Sequence, residues 1–218
     1  MLELKISARR SPPNLLLIGA HCDDIEIGLG GTIRRFCMQH PDAHILWVTL
    51  NSDEMREAET RAAAARLLTG AHNTKLIIKT FRQSYFPYVG AELKDFFETL
   101  KAEIEPDVVF THRSDDLHQD HRVVNELTWN TFRNHLILEY EIPKYEGDLR
   151  TPNVYVPLTR EEIDAKIDVL MDCFPSQHNR QWFTPETFRA TARLRGIECN
   201  AADGFAEGFY CRKSVLAI

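Results

Sequence analysis

The sequence predicts an α/β fold, a Rossmann-like three-layer α/β/α sandwich with a mostly parallel central sheet. Three observations predict it. Short apolar runs, Leu15–Ile18, HILWVTL over 44–50 and DVVFT over 107–111, read as strands buried on both faces. Stretches of helical period separate them, so strands and helices alternate. Two of the runs also end in clusters of histidine and aspartate, at the edge where open α/β sheets place their ligands. The chain has 218 residues, enough for one sizeable core, and no linker, repeat or low-complexity segment divides it. Residues 1–218 therefore read as a single domain.

The elements follow in order. Residues before Ser11-Pro12-Pro13 read as a short leader or an edge segment. After the first strand, a glycine-rich turn, Gly28-Leu29-Gly30-Gly31, leads into a helix from about Gly28 to Gln39. Its apolar stripe is Ile33, Phe36 and Cys37, and Pro41-Asp42 ends it. His44–Leu50 is the second strand. Glu54–Thr69 alternates charge with alanine and leucine, and Gly70 supplies its C-cap. Lys75–Thr80 is the third strand, and 81–90 is an aromatic loop. A helix over Glu92–Glu105 stops before Pro106. Asp107–Thr111 is the fourth strand. Leu136–Ile142 and Val154–Pro157 are shorter strands, Arg160–Cys173 and Pro185–Leu194 are helices, and Gly208–Ile218 is a last strand.

Composition excludes several classes. Hydrophobic residues at 44% and charged residues at 27% are ordinary for a soluble globular chain. A net charge of −6 argues against a broad nucleic-acid or anionic-membrane surface. No apolar run approaches the roughly 18 residues of a spanning helix, and the first residues lack the apolar core of a secretory signal. The five cysteines, Cys22, Cys37, Cys173, Cys199 and Cys211, have no CxxC spacing. They point to reduced thiols in the cytoplasm, not to a disulfide framework or a cysteine zinc site.

The chemistry concentrates in two places. His21-Cys22-Asp23-Asp24 follows the first strand. Three histidines and three aspartates fall within His112–His121, after the fourth. Ends of parallel strands face one edge, so the two clusters converge. If His118 opens a helix, its i, i+3 spacing brings it to the same face as His121. Imidazole and carboxylate suit zinc, whose catalytic sites keep three protein ligands and one open position. His21, Asp24 and His121 meet that count, and Asp23 stays free to act as a base toward a zinc-bound water. The bland alternative is a solvated loop with helix-capping aspartates. The glycines lack the GxGxxG order of a dinucleotide site and suit close helix–sheet packing instead. Neighbouring side chains at a strand end point opposite ways, so Cys22 is expected to face the core.

At these residues the chain resembles the PIG-L (LmbE-like) family of zinc-dependent N-deacetylases. Ala20-His21-Cys22-Asp23-Asp24 matches that family's Ala-His-Pro-Asp-Asp motif, with Cys22 in place of proline. His118-Gln119-Asp120-His121 matches its His-x-Asp-His motif, and Glu26-Ile27-Gly28, Gly30-Gly31-Thr32 and Thr111-His112 also fit. The resemblance implies His21, Asp24 and His121 as zinc ligands and Asp23 as the general base. His118 would donate to the oxyanion or protonate the leaving amine. Asp120 or Asp115 would either orient His118 or serve as an N-cap. Arg56 would contact the sugar, or else pair with Glu59 on a solvated helix face. The aromatic loop, with Phe81, Tyr85, Phe86 and Tyr88, would stack on a sugar or form a subunit interface. Tyr140, Glu141, Lys144, Tyr145 and Glu146 would form a rim. Trp182 and Phe183 would belong to the core or an interface, and Glu207 would position a loop near the site.

The expected activity is removal of an acetyl group from an N-acetylated amino sugar or its conjugate. Iron or cobalt would accept the same ligands as zinc, and the resemblance makes a homo-oligomer plausible. Two alternatives stay open: a non-hydrolytic nucleotide- or cofactor-binding module, and a metal amidase acting on a non-sugar amide.

Overall fold

Alternate residues of a strand point to opposite faces of its sheet, and here both faces meet a helical layer. The computed structural model describes residue 3 and residues 12–215. The expected leader, residue 3 apart, and residues 216–218 of the expected last strand lie outside the described residues. The elements are β1 (Leu15–Gly19), α1 (Asp24–Gln39), β2 (His44–Thr49), α2 (Glu54–Leu67), β3 (Asn73–Ile78), α3 (Gly90–Glu103), β4 (Val108–His112), α4 (Gln119–Thr131), β5 (Leu136–Tyr140), β6 (Val154–Leu158), α5 (Arg160–Cys173), α6 (Pro185–Glu198) and β7 (Phe205–Cys211).

Among the described residues, seven strands form one sheet in the order β3-β2-β1-β4-β5-β7-β6. Strands β1 to β5 are parallel, and β7 runs antiparallel to both β5 and β6. Leu15, Leu17, Ile45, Trp47 and Phe110 pack with residues of α1, α2, α5 and α6. Leu16, Ile18, Leu46, Val48 and Val109 pack with Leu93, Phe97, Leu100 and Val124 of α3 and α4. The expected three-layer sandwich is thus present, with its sheet buried on both faces. Asp53, Thr159 and Thr184 cap the amino ends of α2, α5 and α6 with side-chain oxygens, each accepting a backbone N–H.

Several boundaries differ from expectation. The first helix starts at Asp24 rather than near Gly28, because the Asp24 carboxylate accepts the His21 backbone N–H at 2.7 Å and folds the turn one step earlier. The glycines lie inside the helix, at a break where Leu29 has φ −146° and ψ 20°. Glu207 of β7 accepts the N–H groups of Gly31 and Thr32 there, at 3.0 and 2.7 Å. Lys166 of α5 pairs with Glu207 at 2.6 Å and donates to the Ile27 carbonyl at 2.6 Å. A buried ion pair therefore takes up the backbone groups that the break exposes. Glu207 positions this helix, not a loop. The second helix ends at Leu67, before Gly70 turns the chain at φ 95°. Helix α6 runs past Leu194 to Glu198, and the last strand starts at Phe205 because Phe205 and Ala206 already pair with Leu158 and Pro157.

The glycines do serve close packing. A Cβ on Gly28 would lie 2.3 Å from the Tyr140 ring, and one on Gly31 would lie 2.5 Å from Leu158. Tyr140 has no room to yield, being fully buried with its hydroxyl donating to the Ile18 carbonyl at 2.7 Å. Gly28→Ala is therefore expected to cost about 1–3 kcal/mol or more through overpacking. Gly90→Ala, where an added Cβ meets nothing within 4 Å, is expected to be neutral or stabilising by roughly 0.4–1 kcal/mol. Urea denaturation of both variants checks the contrast.

Candidate metal centre at the ends of two adjacent strands

Strands β1 and β4 are neighbours in the sheet, with Leu15, Leu16 and Leu17 opposite Val108, Val109 and Phe110. The chain runs from β1 outward to β2 and β3, then returns to β4 on the other side of β1. The carboxyl ends of β1 and β4 thus flank the point where strand order reverses, the usual ligand crevice of such sheets. The turn 20–24 leaves one strand there and the segment 112–121 leaves the other. Asp23 makes the turn in the left-handed region, at φ 95°, a conformation aspartate tolerates better than most residues.

His21 Nδ1 lies 3.3 Å from His121 Nε2 and 3.4 Å from Asp24 Oδ2, and His121 Nε2 lies 3.5 Å from Asp24 Oδ1. One ligand atom from each of the three residues lies within 4.8 Å of the others. The remaining ring nitrogens face carboxylates: His21 Nε2 is 3.0 Å from Asp120 Oδ2, and His121 Nδ1 is 3.0 Å from Asp116 Oδ2. Such partners fix the tautomer that leaves a lone pair free toward the shared centre. Two imidazole lone pairs and a carboxylate turned inward on one point need a cation between them, and this donor set fits zinc. Phe86 stacks against His21 at 5.9 Å, and the backbone N–H groups of Ser84 and Phe86 hold Asp120 at 2.6 and 3.2 Å.

The electrostatics follow from burial and pairing. Burial resists ionisation of Asp24, but His121 and His112 beside it hold its carboxyl well below the usual range. Burial likewise resists charging of His21, yet Asp120 and Asp24 outweigh it and lift the imidazole to about 9. Burial and then repulsion from His112 push His121 down to about 3. Asp23 is raised to about 7 by burial, against the pull of Arg56. Without a metal, one proton on His21 supplies the cation the cluster requires.

The other expected residues sort themselves by contact. His118 caps α4, its Nδ1 accepting the Asp120 N–H at 3.2 Å, and its ring sits 4.9 Å from His21 and 4.5 Å from His121. Asp120 does not orient His118 through its carboxylate, which is engaged by His21, Ser84 and Phe86. Asp115 turns outward to Arg113 and Arg150. Arg56 is directed at the proposed base: its guanidinium lies 3.0 Å from Asp23 Oδ2 and also donates to the Cys22 carbonyl. The Arg56–Glu59 pair spans 4.0 Å, but on a buried face rather than a solvated one, with Glu59 receiving Ser176. Cys22 faces the core as expected, its Sγ 3.4 Å from the Asn51 carbonyl.

A family model described as PIG-L, GlcNAc-PI de-N-acetylase, matches residues 16–132, more than half of the chain and both motifs. The chain belongs to the PIG-L family. Solved structures share its fold. The N,N'-diacetylchitobiose deacetylase from Pyrococcus horikoshii is 22% identical, with a TM-score of 0.67 over 91% of this chain and 83% of that one. The conserved protein TT1542 from Thermus thermophilus is 21% identical, with a TM-score of 0.71 over 94% and 97%. GalB, the 4-carboxy-2-hydroxymuconate hydratase from Pseudomonas putida, is 16% identical, with a TM-score of 0.71 over 94% and 98%.

Within this PIG-L chain the expected rim is mostly interior. Tyr140 and Glu141 are buried, Glu141 accepting two hydrogen bonds from the Arg195 guanidinium at 2.6 and 2.8 Å. Tyr145 and Glu146 are exposed. Phe183 lies in the core with Trp182 packed against it. In the aromatic loop, Phe86 is core while Tyr85 and Tyr88 face solvent. Two residues at the centre carried no role in the sequence reading. His112 lies 3.2 Å from Asp24 Oδ2, accepts the Ala20 N–H at 2.9 Å and stacks on His121 at 3.8 Å. Asp116 backs His121. The doubled Asp115-Asp116 was the available signal, but which of the pair turns inward depends on tertiary contacts. Among the described residues, no helix is long and apolar enough to cross a membrane.

The pKa directions predict a pH profile for the metal-free chain. His21 binds its proton more tightly folded, at about 9 against 6.5. It contributes stability that is complete below pH 6.5 and lost as pH rises through about 9. His121, depressed to about 3, contributes stability present above pH 6.5 and lost as pH falls toward 3. The urea midpoint of chelated protein is therefore expected to drop between about pH 6.5 and 9, and His21→Gln is expected to flatten that drop.

Proposed function

We propose that the chain acts as one deacetylase domain, a zinc-dependent hydrolase that removes the acetyl group from an N-acetylated amino sugar or its conjugate. The observation that carries this reading is the convergence of His21, Asp24 and His121 from two distant segments, with Asp23 and His118 beside them. Family membership supports N-deacetylation. The fold neighbours named as chitobiose and teicoplanin deacetylases support a sugar-bearing substrate.

His21, Asp24 and His121 would hold the metal. When bound, zinc supplies a Lewis acid that polarises the amide carbonyl and makes water a better nucleophile near neutral pH. The chain does the rest. Asp23, fixed by Arg56, takes the proton from the attacking water. His118 supplies a hydrogen bond to the oxyanion. Because its Nδ1 accepts the Asp120 N–H, the neutral ring carries its proton on Nε2, the nitrogen free to donate. The same nitrogen, or the proton Asp23 has gained, serves the leaving amine. Arg56 acts here on the base, through Asp23 and the Cys22 carbonyl, rather than as a sugar contact.

The test is elemental analysis with a free-amine assay on N-acetylated mono- and disaccharides, a nucleotide-linked N-acetyl sugar and a linear N-acetyl amino acid. Asp23→Asn is expected to retain zinc and lose roughly 10²–10⁴ in kcat. His121→Ala is expected to lose the metal. Turnover of Asp23→Asn at the parent rate would remove the base, and stoichiometric zinc in His121→Ala would remove the ligand set. Arg56→Met is expected to lower kcat with little change in KM. A rise in KM alone would return Arg56 to the substrate.

A further inference from the structure

Behind His121 the hydrogen-bonded path continues outward. Asp116 Oδ2, which faces His121 Nδ1 at 3.0 Å, also receives the Lys144 ammonium at 2.9 Å. Lys144 donates in addition to both carboxylate oxygens of Asp148, each at 2.9 Å, and approaches the Ile142 carbonyl at 3.5 Å. Its side chain is only 7% exposed, and those of Asp116 and Asp148 are 1% and 2% exposed. A lysine this buried is unusual unless its charge is matched, and here one ammonium lies between two buried carboxylates. Asp148 is itself fixed by the Leu117 N–H at 2.7 Å and by Arg113, whose guanidinium donates to its carbonyl at 2.6 Å. The segment 141–150 is thereby tied to the segment 113–118 that leads into the cluster.

We infer that Lys144 is a positioning residue for the metal centre: it neutralises and aims Asp116, which in turn fixes the His121 ring with Nε2 turned toward the ion. The inference rests on the proposed role of His121 as a ligand. Without the ammonium, Asp116 loses the lysine that matches its charge, while Asp148 keeps the Arg113 guanidinium at 3.4 Å. Asp116, buried and unmatched, then turns away toward other donors, and His121 loses the partner that sets its tautomer. By linkage the effect is reciprocal, so metal binding tightens the 141–150 segment.

The experiment is zinc affinity by competition with a chromogenic chelator. Lys144→Met, which keeps the length of the stem, is expected to weaken zinc roughly tenfold, the lower end of what losing an outer partner does. Lys144→Arg is expected to recover most of that loss. Asp148→Asn removes the tie to the loop and leaves the Lys144–Asp116 contact, so it is expected to lower the melting temperature more than the affinity. Unchanged zinc affinity in Lys144→Met overturns the inference. So does an equal loss in Asp148→Asn, which makes loop order the cause. If Lys144→Met does not fold, hydrogen exchange on the parent protein decides: zinc should slow exchange over 142–150, and no change there overturns the inference. A parent protein that binds no zinc refutes the metal reading itself, a separate outcome.

Discussion

The carboxylate of Asp24 is the point to which this edge of the sheet answers. It is 3% exposed, and a charge so far from water is tolerated only when fully partnered. The groups that meet it come from several directions: the His21 backbone N–H and ring, with the rings of His112 at the end of β4 and His121 on the first turn of α4 packed beside it. Meeting those demands bends the chain after β1, starts α1 early and brings α4 over the sheet. The outer carboxylates Asp120 and Asp116 then repeat the problem one layer out. Backbone N–H groups from the aromatic loop settle the first, and Lys144 settles the second. Charge compensation at one buried carboxylate thus organises the loops around it.

Much of this was legible in the chain itself. The apolar runs at 15–18, 44–50 and 107–111 carry the signature of strands covered on both sides, and each became one. The clustering of His and Asp after two of them placed the site. What escaped was set by contacts between distant residues. Nothing local shows that Gly31 and Thr32 direct their N–H groups at Glu207, so the break at Leu29 read as a turn preceding a helix. Arg56 read as a surface or sugar-facing residue because its partner, Asp23, is reached only through the fold. Asp116 and Asp115 are chemically identical neighbours, and only the course of the backbone decides which is 1% exposed and which meets solvent.

Fold similarity by itself does not select the chemistry. The same architecture, at a comparable TM-score, is found in a sugar deacetylase and in a hydratase. What distinguishes activities on such a scaffold is the set of side chains at the strand ends, where loops vary while the sheet stays. In this chain that set pairs an inward-facing His-Asp-His trio with a separate carboxylate held by an arginine.

The left-handed backbone at Asp23 narrows the routes by which this protein can change. Most side chains are strained at φ 95°, and asparagine and glycine are among the few that are not. Glutamate would keep the acid but lose the fit to the backbone. The substitution most easily accommodated is therefore asparagine, which leaves the trio intact and removes the carboxylate that Arg56 holds. A single-nucleotide change of an aspartate codon is enough to make it. The architecture thus lies one step from a site that keeps its inward-facing trio and has no free carboxylate beside it.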